Sequence, residues 1–398
     1  MKILSVNNTA DIYGSARCME RVFSRFAQDG HEVHAVLPKR GPLADHLEAH
    51  GVRVHIHRRL AIIERAQFRS PFGILKFLFF FPISVMWLAA LILRLRVDLV
   101  HTNVAVIPTP AMAAFLTGRT HVWHIRELLS EFGSLWKPYQ YYIHQLSSAI
   151  IAISYCTRDQ FNPRLHDKVH VIYDGLDQTT SKPDPVLVKA FRESFARKGM
   201  LVGVVGRIKW HRKGQEVLVR AADLLRPLHP DVHYVVVGSA APGNEEHEVR
   251  LRELISSSGL EETVTLTGDM QDSASVFAAL DVAVVPSVQA EPFGCVVIEA
   301  MAAGTPVVGS RNGGIAEQIV DGDSGLLFCP GSAEDLAESL HRMLTDPDFR
   351  ERTSEAGLRR VRNEFSLENT YLTMAALFDE LAGPGPAVGG VALQDQAL

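Results

Sequence analysis

Short runs of apolar residues bounded by turn formers recur along the chain. Between most of them lie stretches whose apolar residues return every three or four positions. Runs of the first kind suit strands buried on both faces, and the second kind marks one face of a helix. Residues 2–7 read as such a strand, followed by a turn-rich stretch to Gly14-Ser15 and a helix to about Gln28. Met19, Val22, Phe23 and Phe26 line one side of that helix. Further strands are predicted at about 31–36, 52–57, 97–101, 120–124, 149–154 and 168–172. A second series begins with Leu201-Val-Gly-Val-Val-Gly206 and continues at 234–238, 264–267, 282–286 and 306–309. Strand, loop and helix repeated in this way predict an α/β fold with two doubly wound, Rossmann-like parallel sheets.

The alternation breaks at the polar, proline-containing stretch 179–185, which reads as a linker. With 398 residues the chain also exceeds what one compact core organises. The expected division is a first domain at 1–178 and a second at 179–365. A last helix at 366–382 is expected to cross back toward the first domain, and a Gly-, Ala- and Pro-rich tail at 383–398 to be disordered. Two such domains facing across a cleft would bind ligand at the carboxyl ends of their strands, where both Gly14 and Glu291 fall.

A formal net charge of −5 gives no reason to expect a nucleic-acid partner. Cys18, Cys156, Cys295 and Cys329 lack Cys-x-x-Cys spacing, which argues against a zinc site or a disulfide framework and for a reducing compartment. The opening apolar run is too short for a signal peptide, so a cytoplasmic protein is expected.

The chemistry concentrates in the second domain. Glu291-Pro-Phe-Gly294-Cys295-Val-Val-Ile-Glu299 reads as a loop entering an apolar helix that Gly304 stops. One carboxylate stands ahead of the first turn and the other on the second turn, roughly 8 Å or more apart at ~1.5 Å rise per residue. Between them lie free backbone N–H groups and the positive end of the helix dipole. An anion suits that gap and hydroxyl-bearing groups suit the two acids, which is the layout of a nucleotide sugar. Acids are also common near helix starts, so the pair alone decides nothing. A second cluster, Gly206-Arg207-Ile-Lys-Trp-His-Arg-Lys213-Gly214, leaves a strand with five cationic side chains, counting His211. Such a loop can neutralise a diphosphate, and its glycines do not form a P-loop.

Gly206-Arg207 with Lys213-Gly214, the Glu291 and Glu299 pair, Glu299-Ala-Met-Ala-Ala-Gly304-Thr-Pro-Val-Val, Gly313-Gly314 with Glu317, and Asp321-Gly-Asp-Ser-Gly325-Leu-Leu together resemble glycosyltransferase family 4, retaining enzymes of the GT-B fold. The resemblance runs from the first strand to about residue 375. It implies that Arg207 and Lys213 bind the donor diphosphate, Glu291 the transferred sugar and Glu299 the ribose. Amides at Phe293, Gly294 and Cys295 would complete the anion site. His124, in Val122-Trp-His-Ile-Arg-Glu127, matches the family's histidine that meets the sugar from the first domain. Gly14-Ser15 stands where many relatives carry two glycines. The implied reaction is retaining transfer of a sugar from a nucleoside-diphosphate sugar, UDP favoured over GDP, to an acceptor hydroxyl. Arg207 and Lys213 then take the place of a metal on the leaving phosphate, and no cofactor or obligatory metal is expected. Asp321 and Asp323, and Asp346 and Asp348, read as turn or helix-cap acids beside Gly322 and Pro347 rather than as metal ligands.

Residues 72–93 are the other informative stretch. Between Lys76 and Arg94 lie seventeen residues without a charge, interrupted by Pro82 and Ser84. A spanning helix is rejected because the following strand, Val97–His101, must pair with the rest of its sheet. A helix apolar on all sides nevertheless exceeds what one sheet face can cover. Arg53, Arg58, Arg59, Arg65, Arg69, Lys76, Arg94 and Arg96 surround it against only Glu64. The expectation is peripheral contact with an anionic membrane surface through 58–96, on the inner face of the cytoplasmic membrane, and a glycan or lipid-linked acceptor there. A small soluble acceptor such as an inositol phosphate, a nucleotide-sugar epimerase and an inactive membrane-surface binding protein are the alternatives. His55 and His57 are expected at the rim of their strand. Nothing in the sequence fixes the oligomeric state.

Overall fold

The computed structural model describes residues 1–12, 14–63, 70–177, 182–196, 199–270 and 272–383. Residue 178, residues 179–181 of the expected linker, the basic residues Arg65 and Arg69 with Glu64, and the tail from 384 lie outside them. Two compact units divide the chain. The first is Met1–Ala152 with Arg158–Ile172 and the chain from Thr370 onward; the second is Ile153–Thr157 with Tyr173–Asn369.

In the first unit the strands are β1 (Lys2–Val6), β2 (Glu32–Leu37), β3 (Arg53–Ile56), β4 (Leu99–Thr102), β5 (Thr120–Ile125), β6 (Ala149–Ala152) and β7 (Val169–Val171). They pair in parallel in the order β3-β2-β1-β4-β5-β6-β7. Helices α1 (Ser15–Gln28), α2 (Pro42–Ala49), α3 (Pro71–Leu95), α4 (Thr109–Leu116), α5 (Trp136–Leu146) and α6 (Tyr155–Asp159) connect them. Alternate strand residues feed opposite faces. Leu4, Val6, Val36 and Val100 pack with Val85, Leu88 and Ile92 of α3 and Ala113 and Ala114 of α4. On the other face Phe23 and Phe26 of α1 meet the last helix of the chain.

The second unit repeats the scheme with α7 (Pro185–Phe195), β8 (Leu201–Val205), α8 (Gln215–Leu225), β9 (His233–Val237), α9 (Glu246–Ser257), β10 (Val264–Gly268), α10 (Ser273–Ala279) and β11 (Val282–Val285). It continues through α11 (Cys295–Ala302), β12 (Val307–Ser310), α12 (Ile315–Gln318), β13 (Leu326–Phe328), α13 (Ala333–Thr345), α14 (Pro347–Glu364) and α15 (Leu367–Ala382). The strand order is β10-β9-β8-β11-β12-β13. Val202, Val204, Val236 and Val284 pack under α8 and α13, whereas Val235, Val237, Ala283 and Val285 pack under α10 and α11. β13 is absent from the sequence reading. Its three residues are too few for a pattern, and pairing with Val308, Gly309 and Ser310 defines it.

α15 returns the chain to the first unit. The Tyr371 hydroxyl donates to Asp29, the Arg25 guanidinium lies 4.4 Å over the Tyr371 ring, and Phe378 stacks on Phe26 at 5.4 Å.

Two details differ from the sequence reading. Pro82 and Ser84 do not interrupt α3, which runs unbroken from its Ser70 cap to Arg96. Pro82 is exposed, as is Leu78, whose carbonyl loses its partner to the proline, and the Ser84 hydroxyl is satisfied by Thr109 Oγ1 at 3.3 Å. His57 is not a rim residue: it is buried and stacks on Trp87 at 4.3 Å. His55 pairs with His34, Nε2 to Nδ1, at 3.0 Å.

The first sheet holds several buried neutral histidines. Burial lowers His121 to about 3, and His101 and His124 well below their usual value. Below about pH 6.5 the unfolded chain binds protons that these rings refuse in the folded state, so stability falls on acidification. For His121 the loss continues until about pH 3. The slope is about 1.4 kcal/mol per pH unit for each such ring. Buried Glu127, whose carboxyl is raised, opposes it only near the carboxylate range. Chemical denaturation between pH 6.5 and 5.5 should therefore show falling stability, with a slope in H121Q shallower by roughly half a proton at the upper end, rising toward one proton at the lower. An unchanged slope in that variant would contradict the assignment.

Candidate functional site

Each sheet reverses its strand order at one point, between β1 and β4 in the first unit and between β8 and β11 in the second. Loops leaving adjacent strands diverge there and open a crevice at the carboxyl ends. In the second unit the two loops are the cationic stretch after β8 and the Glu291 stretch after β11.

The cationic loop is held from below and from behind. Gly206 leaves β8 with φ 142°, and its N–H donates to Val237 O at 2.8 Å. Ile208 is buried as an anchor, leaving Arg207 exposed. Gln215, at the start of α8, donates to Arg207 O at 3.1 Å. Its neighbour Glu216 accepts from the His211 N–H at 3.0 Å. Gly214 caps α8 in the left-handed region at φ 71°, and a Cβ there would stand 1.9 Å from Pro286 O. Only glycine allows this loop to lie against the end of β11. Val288 N–H completes the join by donating to Arg212 O at 2.9 Å.

That join brings Lys213 to Glu291. Lys213 Nζ lies 2.7 Å from Glu291 Oε1, which also accepts from Ser287 Oγ at 3.0 Å. Glu291 is 8% exposed while the Lys213 side chain is 33% exposed, so water screens the pair mainly from the lysine side. Downstream, Gly294 takes φ 85° as the cap of α11 with no side chain over the helix end. Cys295 opens the helix and half-buried Glu299 sits on its second turn. Phe293 points the other way, buried between the rings of Tyr173 at 5.7 Å and Phe365 at 5.8 Å. The crevice thus combines cations, an acid and uncapped amides at a helix N-terminus, an arrangement that binds an anion flanked by hydroxyls.

The loop from Glu291 to Phe293 is clamped by residues to which sequence reasoning gave no role. Gly314 N–H donates to Glu291 O at 2.8 Å and Gln318 Nε2 to Phe293 O at 2.8 Å. A Cβ on Gly313 would come within 2.3 Å of Glu291 O, and one on Gly314 within 2.6 Å of Phe293 Cα. Ser154 Oγ donates to Pro292 O at 2.5 Å. Glu317 accepts from the N–H groups of Tyr155 at 2.8 Å and Cys156 at 2.7 Å, and from the Tyr173 hydroxyl at 3.2 Å. The paired glycines 313 and 314 were the signal in the sequence. Ser154 carried none, because its partner is 138 residues away.

In the first unit Gly14 begins α1 with φ 43° and no side-chain cap, at the β1 side of that sheet's reversal. Asn103, across the reversal after β4, donates to Asn7 Oδ1 at 3.3 Å and Ser15 O at 3.2 Å, and accepts from Arg126 Nε at 2.9 Å. His124, on β5, is 1% exposed; its Nδ1 lies 3.3 Å from His101 Nε2 and its Nε2 has no partner. Asp321 accepts from Arg311 and, at 2.9 Å, from Leu327 N–H, and Asp346 caps α14 through Phe349 N–H at 2.9 Å.

Comparison with known proteins agrees with this architecture. The family model described as glycosyl transferases group 1 matches residues 189–360, and that described as glycosyltransferase family 4 matches residues 12–180. A D-inositol 3-phosphate glycosyltransferase of Thermobifida fusca is 35% identical over 218 residues, 53% of this chain and 49% of that protein. A lipopolysaccharide core biosynthesis mannosyltransferase, LpcC, of Rhizobium leguminosarum bv. viciae is 31% identical over 217 residues, 54% of this chain and 60% of that protein. These matches span about half the length of the relatives. Among solved structures, Anabaena Alr3699/HepE in complex with UDP and glucose superposes with TM-score 0.79 at 24% identity, over 96% of this chain and all of that one. With two Rossmann-like units in the order of the two family models, the chain belongs to the family 4 glycosyltransferases of GT-B fold.

Proposed function

We propose that the protein is a retaining glycosyltransferase that moves a sugar from a nucleoside-diphosphate sugar to an acceptor hydroxyl at a membrane surface. The observation that carries the reading is the Lys213–Glu291 contact at the mouth of the uncapped α11 N-terminus. Lys213 with Arg207 and the amides around Gly294 and Cys295 binds the diphosphate and stabilises it as it leaves. Glu291 holds the sugar hydroxyls and Glu299 the ribose, and the family resemblance assigns His124 a further contact with the sugar. Fixed cations meet the charge of the leaving group, so the reaction has no obligatory metal. UDP is the preferred nucleotide, in keeping with the UDP held by Alr3699/HepE.

The relatives named above act, by their names, on an inositol phosphate or in lipopolysaccharide core synthesis. The exposed apolar half of α3 favours the second kind of acceptor, a glycan or lipid-linked molecule at the inner face of the cytoplasmic membrane. Thermal unfolding with UDP- and GDP-sugars, each with and without EDTA, tests the donor half of the reading. At a hundredfold excess over Kd a UDP-sugar should stabilise the fold by about 2.7 kcal/mol, and EDTA should leave that unchanged. No stabilisation by any sugar nucleotide defeats the proposal, and stabilisation lost in EDTA defeats its metal-free part.

A further inference from the structure

Parallel register places three polar side chains on one face of the first sheet. Ser5 of β1 is the direct partner of His101 on β4, and His101 is the partner of Val122, two residues before His124 on β5. Side chains two apart share a face, so Ser5, His101 and His124 line up across three strands. Ser5 Oγ lies 3.0 Å from His101 Nδ1, and His101 Nε2 lies 3.3 Å from His124 Nδ1. All three are essentially buried, and Phe23 and Phe378 pack on His101. His124 Nε2 ends the row without a partner.

A neutral imidazole carries one N–H, so each contact in the row fixes the next. If Ser5 donates to His101 Nδ1, then His101 Nε2–H donates to His124 Nδ1 and the hydrogen of His124 stands on Nε2. The reverse order would leave two buried groups unmatched, the Ser5 hydroxyl hydrogen and His124 Nε2, rather than one. Among the described residues the Ser5 hydroxyl has no other side-chain partner, which favours the first order. We infer that Ser5 and His101 are positioning residues that hold His124, the proposed sugar contact, with its hydrogen on Nε2 as a neutral donor. The neutral state follows from the burial that lowers both rings. The inference rests on the proposed role of His124 in sugar binding.

Long-range 15N–1H spectra of the full chain labelled at histidine read the tautomer directly, without substrate. The expected wild-type result is a protonated Nε2 and a bare Nδ1 on His124. S5A should give a mixture of tautomers and H101M a shift of hydrogen to Nδ1, while H101Q, whose amide can donate in place of Nε2–H, should keep the wild-type pattern. In transfer assays KM for UDP-glucose should rise about three- to tenfold in H101M and recover in H101Q. Should H101M fail to fold, S5A carries the same comparison through loss of a single hydroxyl. A wild-type His124 protonated on Nδ1, or a tautomer indifferent to both S5A and H101M, overturns the inference. If the tautomer behaves as stated but UDP-glucose leaves the His124 signals unmoved, the sugar-binding reading of His124 falls and the relay stands.

Discussion

Replacing Lys213 with alanine is expected to lower transfer by about 10²–10³-fold in kcat, the loss typical of one preorganised group on a developing anion. The same substitution strips Glu291 of its closest cation. Because Glu291 is buried, 8% exposed, stability should also fall, by about 1–3 kcal/mol. Glu291→Ala should cost a comparable factor in transfer but act on a different substrate group, the sugar hydroxyls. UDP should therefore bind E291A nearly as tightly as wild type, whereas K213A should lose affinity for UDP itself. The double variant should lose less than the product of the single losses, since the two side chains share one contact at 2.7 Å. Steady-state transfer and calorimetric binding of UDP to the three variants settle the matter. Unchanged turnover in both single variants would remove the site from this crevice.

The second large effect concerns α3. From Ser84 to Ile92 its buried side chains, Val85, Leu88, Ala89, Leu91 and Ile92 among them, form one face against the sheet and α4. Before Pro82 only Gly73 is buried, whereas Phe72 is 77% exposed, Leu75 65% and Phe79 64%. The helix is long and apolar enough to cross a membrane by composition, yet its second half is committed to the core. Its first half is what remains for lipid, with Arg58, Arg59 and Lys76 exposed beside it. Fully burying a leucine or phenylalanine contributes about 1.5–3 kcal/mol. Even partial insertion of three such residues gives about 3 kcal/mol, or roughly a hundredfold in partition. Sedimentation with anionic vesicles should show the full chain bound, and the triple variant F72S/L75S/F79S should remain in the supernatant. Neutral vesicles or high salt should weaken wild-type binding through the arginines, at about 1 kcal/mol for each residue near the surface. A wild-type chain that ignores anionic vesicles would rule the contact out.

The strands were readable because parallel strands covered on both faces need continuous apolar runs, and Val202–Val205 or Val282–Val285 can be little else, whereas their order in the sheets came only from the fold. Gly294 and Gly304 likewise announce helix ends through the left-handed backbone that only glycine takes cheaply, at φ 85° and 75°. What escaped was set by partners distant in sequence. Nothing local to Pro82 says that the helix continues through it; the exposed setting of Leu78 and Pro82 in the fold decides that. Nothing local to His57 says that Trp87 covers it. The roles of Ser154 and Glu317 depend on backbone groups of Pro292, Tyr155 and Cys156 that only the folded chain brings near. Site residues were legible where chemistry clusters within one loop, and illegible where a remote side chain merely holds that loop still.

The return of α15 bears on how the protein is made. Phe26 and His101, made well before Tyr371 and Phe378, wait for them before their face of the sheet is covered. The unit that begins first is therefore completed last, after the intervening 173–369 has emerged and can fold around its own core. Emergence of Tyr371 and Phe378 becomes the step that covers this face of the amino-terminal sheet, and losing the chain from residue 370 onward leaves that face open while sparing the core of the second unit.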